Sequence, residues 1–361
     1  MSGSQTPVGK SSPPAAAASP EAAPPADNGI LPAAHWEEQH VDDDADSSLG
    51  ESTESSTASM TSSILAYRTL HGRTYHSDRV TDSEYWGPND ETHKVAADLM
   101  HHCLTLIFDG KLTTAPVEEG KVKSALDIGT GTGLWAIDFA DEHPDCDVVG
   151  TDISPIQPGW VPPNCRFEIE DATKPWTFAA DNFDLVHMRY LYGSIPDWYA
   201  IFKEAYRVMK PGGWIETIEP SCMLHSDNNS VVPGTAMYEW GKVLGEGGKK
   251  SGRTFHVVED ELQQKGLKAA GFVDLKVTDG TSPLNGYMKD KKWNEVGTWC
   301  QVAFDQDIEG YAMFMFTHVM GWTPEQTRVY SAAFRRQLRD KNCHPYFHYR
   351  VVIARKPEKP E

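Results

Sequence analysis

Leu126-Asp127-Ile128-Gly129-Thr130-Gly131-Thr132-Gly133 joins a short apolar run, residues 124–128, to a helical one, residues 134–142. A glycine-rich turn between strand and helix lets a ligand come against the backbone where any Cβ would collide. The helix that follows points its free N–H groups and its dipole at whatever binds there. The glycines alternate, and an acid stands two positions before the first. Asp127 disfavours a pyrophosphate at this turn and suits a ligand's ammonium group. Gly150-Thr151-Asp152-Ile153 follows, its acid nineteen residues after Gly133 and placed to accept from two ribose hydroxyls. Glu170-Asp171-Ala172 closes the next apolar run, with Asp171 placed to accept from an adenine amino group. A lone Asp at a strand end commonly just caps the next helix. Three in succession behind a glycine turn instead match the polar parts of one ligand.

Outward from this turn the chain alternates strand and helix. Strands are expected at 124–128, 147–153, 165–169, 183–188 and 214–218, with helices at 134–142 and 197–209. Pro211-Gly212-Gly213 is expected to stop the second of these helices before the fifth strand. A helix at 257–270, capped by Gly271, leads to a sixth strand at 273–277, and residues 348–354 alternate as a seventh. This rhythm predicts a doubly wound α/β domain: a seven-stranded, mostly parallel, Rossmann-like sheet with helices on both faces and one antiparallel member near the end. Ahead of it, Pro88-Asn89-Asp90-Glu91 reads as the start of a helix over 93–108, where Val95, Ala96, Leu99, Met100, Cys103, Leu104 and Ile107 recur at helical spacing. The expected organisation is an acidic, Ser/Pro/Ala-rich disordered tail over 1–60, a helical cover over 61–122, and a main domain over 123–357. A helical insertion at about 281–341, rich in Trp, Phe and Met, is expected to form a lid.

Charge narrows the function classes. Residues 1–60 carry ten acids against one base, Lys10, so the remainder still holds −10 of the chain's net −19. An acidic domain argues against direct nucleic-acid binding or an anionic membrane surface. No apolar run approaches the ~20 residues of a membrane span, and the amino terminus lacks a secretory core. Six cysteines scattered at 103, 146, 165, 222, 300 and 343 suit a reduced intracellular protein, cytoplasmic or nuclear, with no metal site.

The run Asp127 to Gly133, with Asp152, Asp171 and Val208-Met209-Lys210-Pro211-Gly212-Gly213-Trp214, resembles the class I S-adenosylmethionine-dependent methyltransferases over roughly residues 93–220. A narrower resemblance, to the fungal LaeA-like methyltransferases, covers about residues 64–357. It rests on His71-Gly72-Arg73-Thr74-Tyr75-His76, Pro88-Asn89-Asp90-Glu91, Ser154-Pro155-Ile156-Gln157-Pro158, Asp184-Leu185-Val186-His187-Met188-Arg189 and Ala354-Arg355-Lys356-Pro357. No basic cluster resembling a nuclear import signal is present. The resemblance implies S-adenosylmethionine held at three strand ends by Asp127, Gly129, Thr130, Gly131 and Gly133, then Asp152 and Ile153, then Asp171 and Ala172. Met188 and Arg189 on the fourth strand and Tyr75 ahead of the first helix complete the expected cofactor site.

Methyl transfer is an in-line displacement in which the cofactor brings its own leaving group, so the protein mainly aligns the partners. Candidate catalytic residues belong at the carboxyl ends of the strands: His187, Arg189 and Glu219, with Tyr190, Glu216, His225 and Tyr85 nearby. His187 is equally a packed strand residue, and Glu216 more readily an ion-paired one. Trp293, Trp299, Phe304, Tyr311, Phe314, Phe316 and Trp322 are candidates to line an apolar acceptor pocket or to fill the core. Two functional readings stand close together: a methyltransferase acting on a small secondary metabolite, and a LaeA-like regulator acting through protein partners. A nicotinamide dehydrogenase is third, disfavoured by Asp127 and the glycine spacing.

Overall fold

The structure, a computed structural model, describes residue 1 and residues 29–37, 64–81, 85–117 and 120–358. Within the expected tail, Ala34–Glu37 forms a single helical turn, α1, whose Trp36 is 1% exposed and edge-on to Tyr330 at 5.0 Å. That segment is therefore packed, contrary to expectation; the rest of the expected tail, apart from Met1 and residues 29–33, lies outside the described residues. The cover is not wholly helical either. A hairpin of β1 (Arg68–Leu70) and β2 (Arg73–Tyr75) precedes α2 (Glu91–Ile107), which Asp90 caps by accepting from the His93 amide.

The main sheet begins with β3 (Ser124–Ile128), α3 (Leu134–Glu142), β4 (Asp147–Asp152) and β5 (Cys165–Ile169). It continues through β6 (Phe183–Arg189), α4 (Trp198–Val208) and β7 (Met209–His225). After α5 (Ala236–Ser251) and α6 (Leu262–Ala270) come β8 (Val273–Pro283), α7 (Lys291–Met313), a π-helical turn at Phe314–Val319, α8 (Pro324–Arg339) and β9 (Tyr346–Arg355). The strand order is β5-β4-β3-β6-β7-β9-β8. All neighbours run parallel except β9, which is antiparallel to both β7 and β8. The chain winds outward from β3 to β5, then returns to β6, so the winding reverses between β3 and β6. Strands covered on both faces read as continuous apolar runs, and residues 125–128 are all buried.

Three features differ from the sequence reading. Lys210–Gly213 bulges out of β7, with Gly212 at φ +82°, and the strand resumes pairing with β6 at Trp214 rather than starting there. Helix α5 was not expected, because glycines at 241, 245, 247 and 248 lower helix propensity by about 1 kcal/mol each relative to Ala. Close approach explains them: a Cβ on Gly241 would lie 2.9 Å from the Cys222 carbonyl, so this helix packs directly on the β7 backbone. Finally, α7 breaks at Asp307 (φ −147°, ψ 39°). The break turns the Asp307 carboxylate inward to Arg73 of β2 at 2.8 Å and His93 of α2 at 2.8 Å, while Arg73 also holds Asp90 at 2.6 Å. One guanidinium thus ties hairpin, α2 and the insertion together.

Candidate active site

The reversal between β3 and β6 opens a crevice at the carboxyl ends of the strands, where doubly wound sheets bind ligands. A cleft of about 700 Å³, its solvent mouth included, lies there. Gly129, Gly131, Asp152, Ile153, Asp171 and Ala172, all expected at the cofactor site, line it. Gly129, Gly131 and Gly133 each have positive φ (+68°, +58° and +86°). At Gly131 no atom lies within 4 Å of where a Cβ would sit, so a side chain would project into the space a ligand needs. The turn is held from behind: Asp152 accepts the Gly131 amide at 2.9 Å, and Gln157 Nε2 donates to the Gly131 carbonyl at 2.6 Å. The second oxygen of Asp152 accepts from the Ser154 amide at 2.9 Å. Burial pushes the Asp152 carboxyl up to about 6 despite these amides.

Asp127 does not reach the cleft. It is 2% exposed, accepts from the Thr130 hydroxyl at 2.6 Å, and pairs with His187 Nδ1 at 2.8 Å. The strand register explains this: Asp127, His187 and Glu216 stand side by side on β3, β6 and β7. His187, fully buried, is stacked flat on Trp135 of α3 with ring centroids 3.8 Å apart, and Glu216 lies 3.8 Å from its Nε2. The Glu216 carboxylate is taken up by the Thr114 amide and hydroxyl at 2.6 and 2.7 Å. The expected catalytic role of His187 is therefore corrected. Its imidazole is enclosed by protein on every side and fixes Asp127, which in turn fixes the glycine turn through Thr130.

Glu219 is likewise a strut. Fully buried, it accepts the backbone amides of Leu191 and Tyr192 at 3.0 and 2.9 Å, gripping the turn after β6; burial raises its carboxyl to about 8. Glu219→Ala leaves those two amides without partners and is expected to cost roughly 2–5 kcal/mol of stability. Urea unfolding that shows a loss below about 1 kcal/mol would deny it this role.

Two other expected residues stand elsewhere. Tyr75 is 1% exposed and packs against Phe314 at 5.7 Å, and Met188 is fully buried in the core beneath the sheet tips. Gly133 opens α3 and backs onto Phe167. Arg189 sits at the tip of β6 and donates to His101 Nδ1 at 2.8 Å, with His101 Nε2 on Asp138 at 2.8 Å. Burial lowers the pKa of Arg189 from its ordinary value, and the rest of its guanidinium edge has no partner among the described residues. Sequence reasoning missed Thr81, Glu170, Thr173, Leu191, Ser194, Ile195 and Arg253, which also line the cleft with Tyr85 and Tyr190. Thr81, in a segment with no periodic signal, donates to Asp171, and Thr173 holds that carboxylate's other oxygen at 2.7 Å.

Residues 98–246, which carry most of the strand tips around the cleft, match the family described as a methyltransferase domain. Fold and site thus define a methyltransferase built on a doubly wound sheet. The chain is 35% identical over 306 residues to the methyltransferase pytC of Aspergillus terreus, covering 84% of this chain and 93% of that one. It is 32% identical over 293 residues to the secondary metabolism regulator LAE1 of Cochliobolus heterostrophus, covering 80% and 94%. It is also 30% identical over 291 residues to the protein-methionine methyltransferase laeA of Emericella nidulans, covering 80% and 76%. The chain belongs to this family of methyltransferases and is S-adenosylmethionine-dependent.

Proposed function

We propose that the chain transfers a methyl group to a small acceptor presented at the tip of β6. One observation carries this reading. Tyr190 lines two cavities at once, the cofactor cleft and a second, mostly apolar one among Tyr192, Trp240, Phe304, Tyr311 and Phe347. S-adenosylmethionine, when bound, supplies an electrophilic methyl group with its own leaving group. The chain's residues do the placing. Asp152 would accept the two ribose hydroxyls, the Asp171 region would meet the adenine, and the free edge of Arg189 would pair with the methionine carboxylate. Asp127 and His187 would act from beneath, by keeping the glycine turn rigid.

The Asp152 reading predicts a pH dependence. Free protein takes up a proton near pH 6 at this carboxyl, whereas hydroxyl donation favours the ionised form. Affinity for S-adenosylmethionine should therefore be flat at neutral pH and fall about tenfold per unit below about 6. Calorimetry across pH 5–8 checks this, and in Asp152→Asn the slope should vanish.

The function itself is tested with S-adenosylmethionine carrying a labelled methyl group, incubated with a cell extract and then extracted with organic solvent. Label in the organic phase supports a small acceptor. Label confined to protein supports the regulatory reading, towards which the names of the laeA and LAE1 relatives point. The reading places the protein inside the cell, in cytoplasm or nucleus: its six cysteines are buried free thiols. No helix among the described residues is long and apolar enough to cross a membrane.

A further inference from the structure

The second cavity, of about 490 Å³ including its mouth, is walled by aromatic rings from the turn after β6 and from α5, α7 and β9, and floored by Pro220, Ser221 and Cys222 of β7. Tyr190 stands where it meets the cofactor cleft. Its backbone is held at φ +55°, uncommon for a bulky side chain and a form of strain that clusters at functional sites. Two contacts keep it there: its amide donates to the Ile218 carbonyl at 2.9 Å, and Glu219 grips the two amides that follow. The Tyr190 hydroxyl is buried with no hydrogen-bond partner, a costly arrangement unless a ligand completes it.

We infer that this cavity takes a flat, one- or two-ring acceptor carrying an acidic phenol or enol, with the Tyr190 hydroxyl donating to the oxygen that is methylated. The inference rests on the methyltransferase reading above. Flatness follows from the walls, since rings on several sides favour stacked or edge-on contact with another ring. The acidity follows from what the lining lacks. Among the described residues no carboxylate or histidine lines the cavity. Burial raises the Tyr190, Tyr192 and Tyr311 hydroxyls and the Cys222 thiol well above their ordinary values, so they stay protonated donors and serve poorly as bases. The acceptor must therefore lose its proton to water before it binds. Its anionic oxygen then forms the new bond to the methyl carbon as the carbon–sulfur bond breaks. The electron pair of that bond stays on sulfur, which passes from sulfonium to neutral thioether, and the charges cancel with no proton left to move. A hydrogen bond from Tyr190 to an anionic oxygen is of the stronger, charge-assisted kind.

The test uses the full chain and the probe pair 4-hydroxycoumarin, a two-ring enol ionised at neutral pH, and coumarin, which lacks the hydroxyl. Each is titrated calorimetrically with S-adenosylhomocysteine present, after a titration of S-adenosylmethionine alone. Wild-type protein is expected to bind 4-hydroxycoumarin at least tenfold more tightly than coumarin. Tyr190→Phe, which keeps the ring, should erase that preference. Cofactor binding without 4-hydroxycoumarin binding up to ~1 mM would overturn this inference alone, as would a preference that survives Tyr190→Phe. Absence of cofactor binding would instead overturn the methyltransferase reading on which it stands. A Tyr190→Phe protein with an unchanged unfolding midpoint excludes misfolding as the cause of a lost preference.

Discussion

Asp152→Ala should weaken S-adenosylmethionine binding by roughly two to four orders of magnitude, the largest loss expected from any single change in the cleft. Two hydroxyl donors on one carboxylate contribute about 1.5–3 kcal/mol each, and each 1.4 kcal/mol is tenfold. The substitution also frees the Gly131 amide that Asp152 now holds, so the turn loses part of its preorganisation. Stability of the unliganded protein should also fall, because the Gly131 and Ser154 amides lose their acceptor. Thermal unfolding with and without S-adenosylmethionine separates the two effects: the variant should have a lower unliganded midpoint and, in addition, lose the ligand-induced rise. A variant that retains that rise would remove Asp152 from the cofactor site.

Arg73→Ala should cost about 3–5 kcal/mol of folding stability, the range found when one partner of a buried ion pair is removed. Arg73 is the cation between Asp90 and Asp307, and the Asp307 side chain is 2% exposed. Its loss leaves two carboxylates near one another, with the imidazole of His93 beside Asp307. The consequence reaches the second cavity, because Asp307 sits at the break in α7 between Phe304 and Tyr311, both of which wall it. Arg73→Lys keeps the charge but loses the forked contact to both carboxylates, so an intermediate loss is expected. Equilibrium unfolding in urea checks both variants, and a cost below about 1 kcal/mol for Arg73→Ala would contradict the clamp.

The cleft was readable in the sequence because its makers are constrained locally. A backbone that must meet a ligand demands glycine, and central parallel strands read as apolar runs that end in acids; residues 129, 131, 152 and 171 followed from those facts, and 153 and 172 from the family resemblance. His187 did not, because a strand tip shows position but not company. Only the register, which sets Asp127, His187 and Glu216 abreast, shows that the imidazole is walled in. Thr81 comes from a segment with no periodicity, so its place over the cleft had no signal; of the two tyrosines ahead of the first helix, Tyr85 lines the cleft while Tyr75 packs against Phe314.

The insertion was legible as helices but not as faces. Of seven aromatic candidates there, Phe304 and Tyr311 line the second cavity. Phe314 and Phe316 are core residues, Trp322 packs on Tyr330, and Trp299 meets His102. The break at Asp307 and the π-turn at Phe314–Val319 shift the helical phase, which a constant 3.6-residue period cannot follow. Helix α5 was hidden by the glycines that let it lie on β7.

The central claim is that the glycine turn of β3 and the acids after it hold S-adenosylmethionine. Calorimetric titration of the purified full chain with S-adenosylmethionine, and separately with a nicotinamide dinucleotide, tests it most directly. The account predicts one-to-one binding of S-adenosylmethionine in the micromolar range, about −8 kcal/mol, and no heat from the dinucleotide. Dinucleotide binding in the absence of any response to S-adenosylmethionine would contradict it.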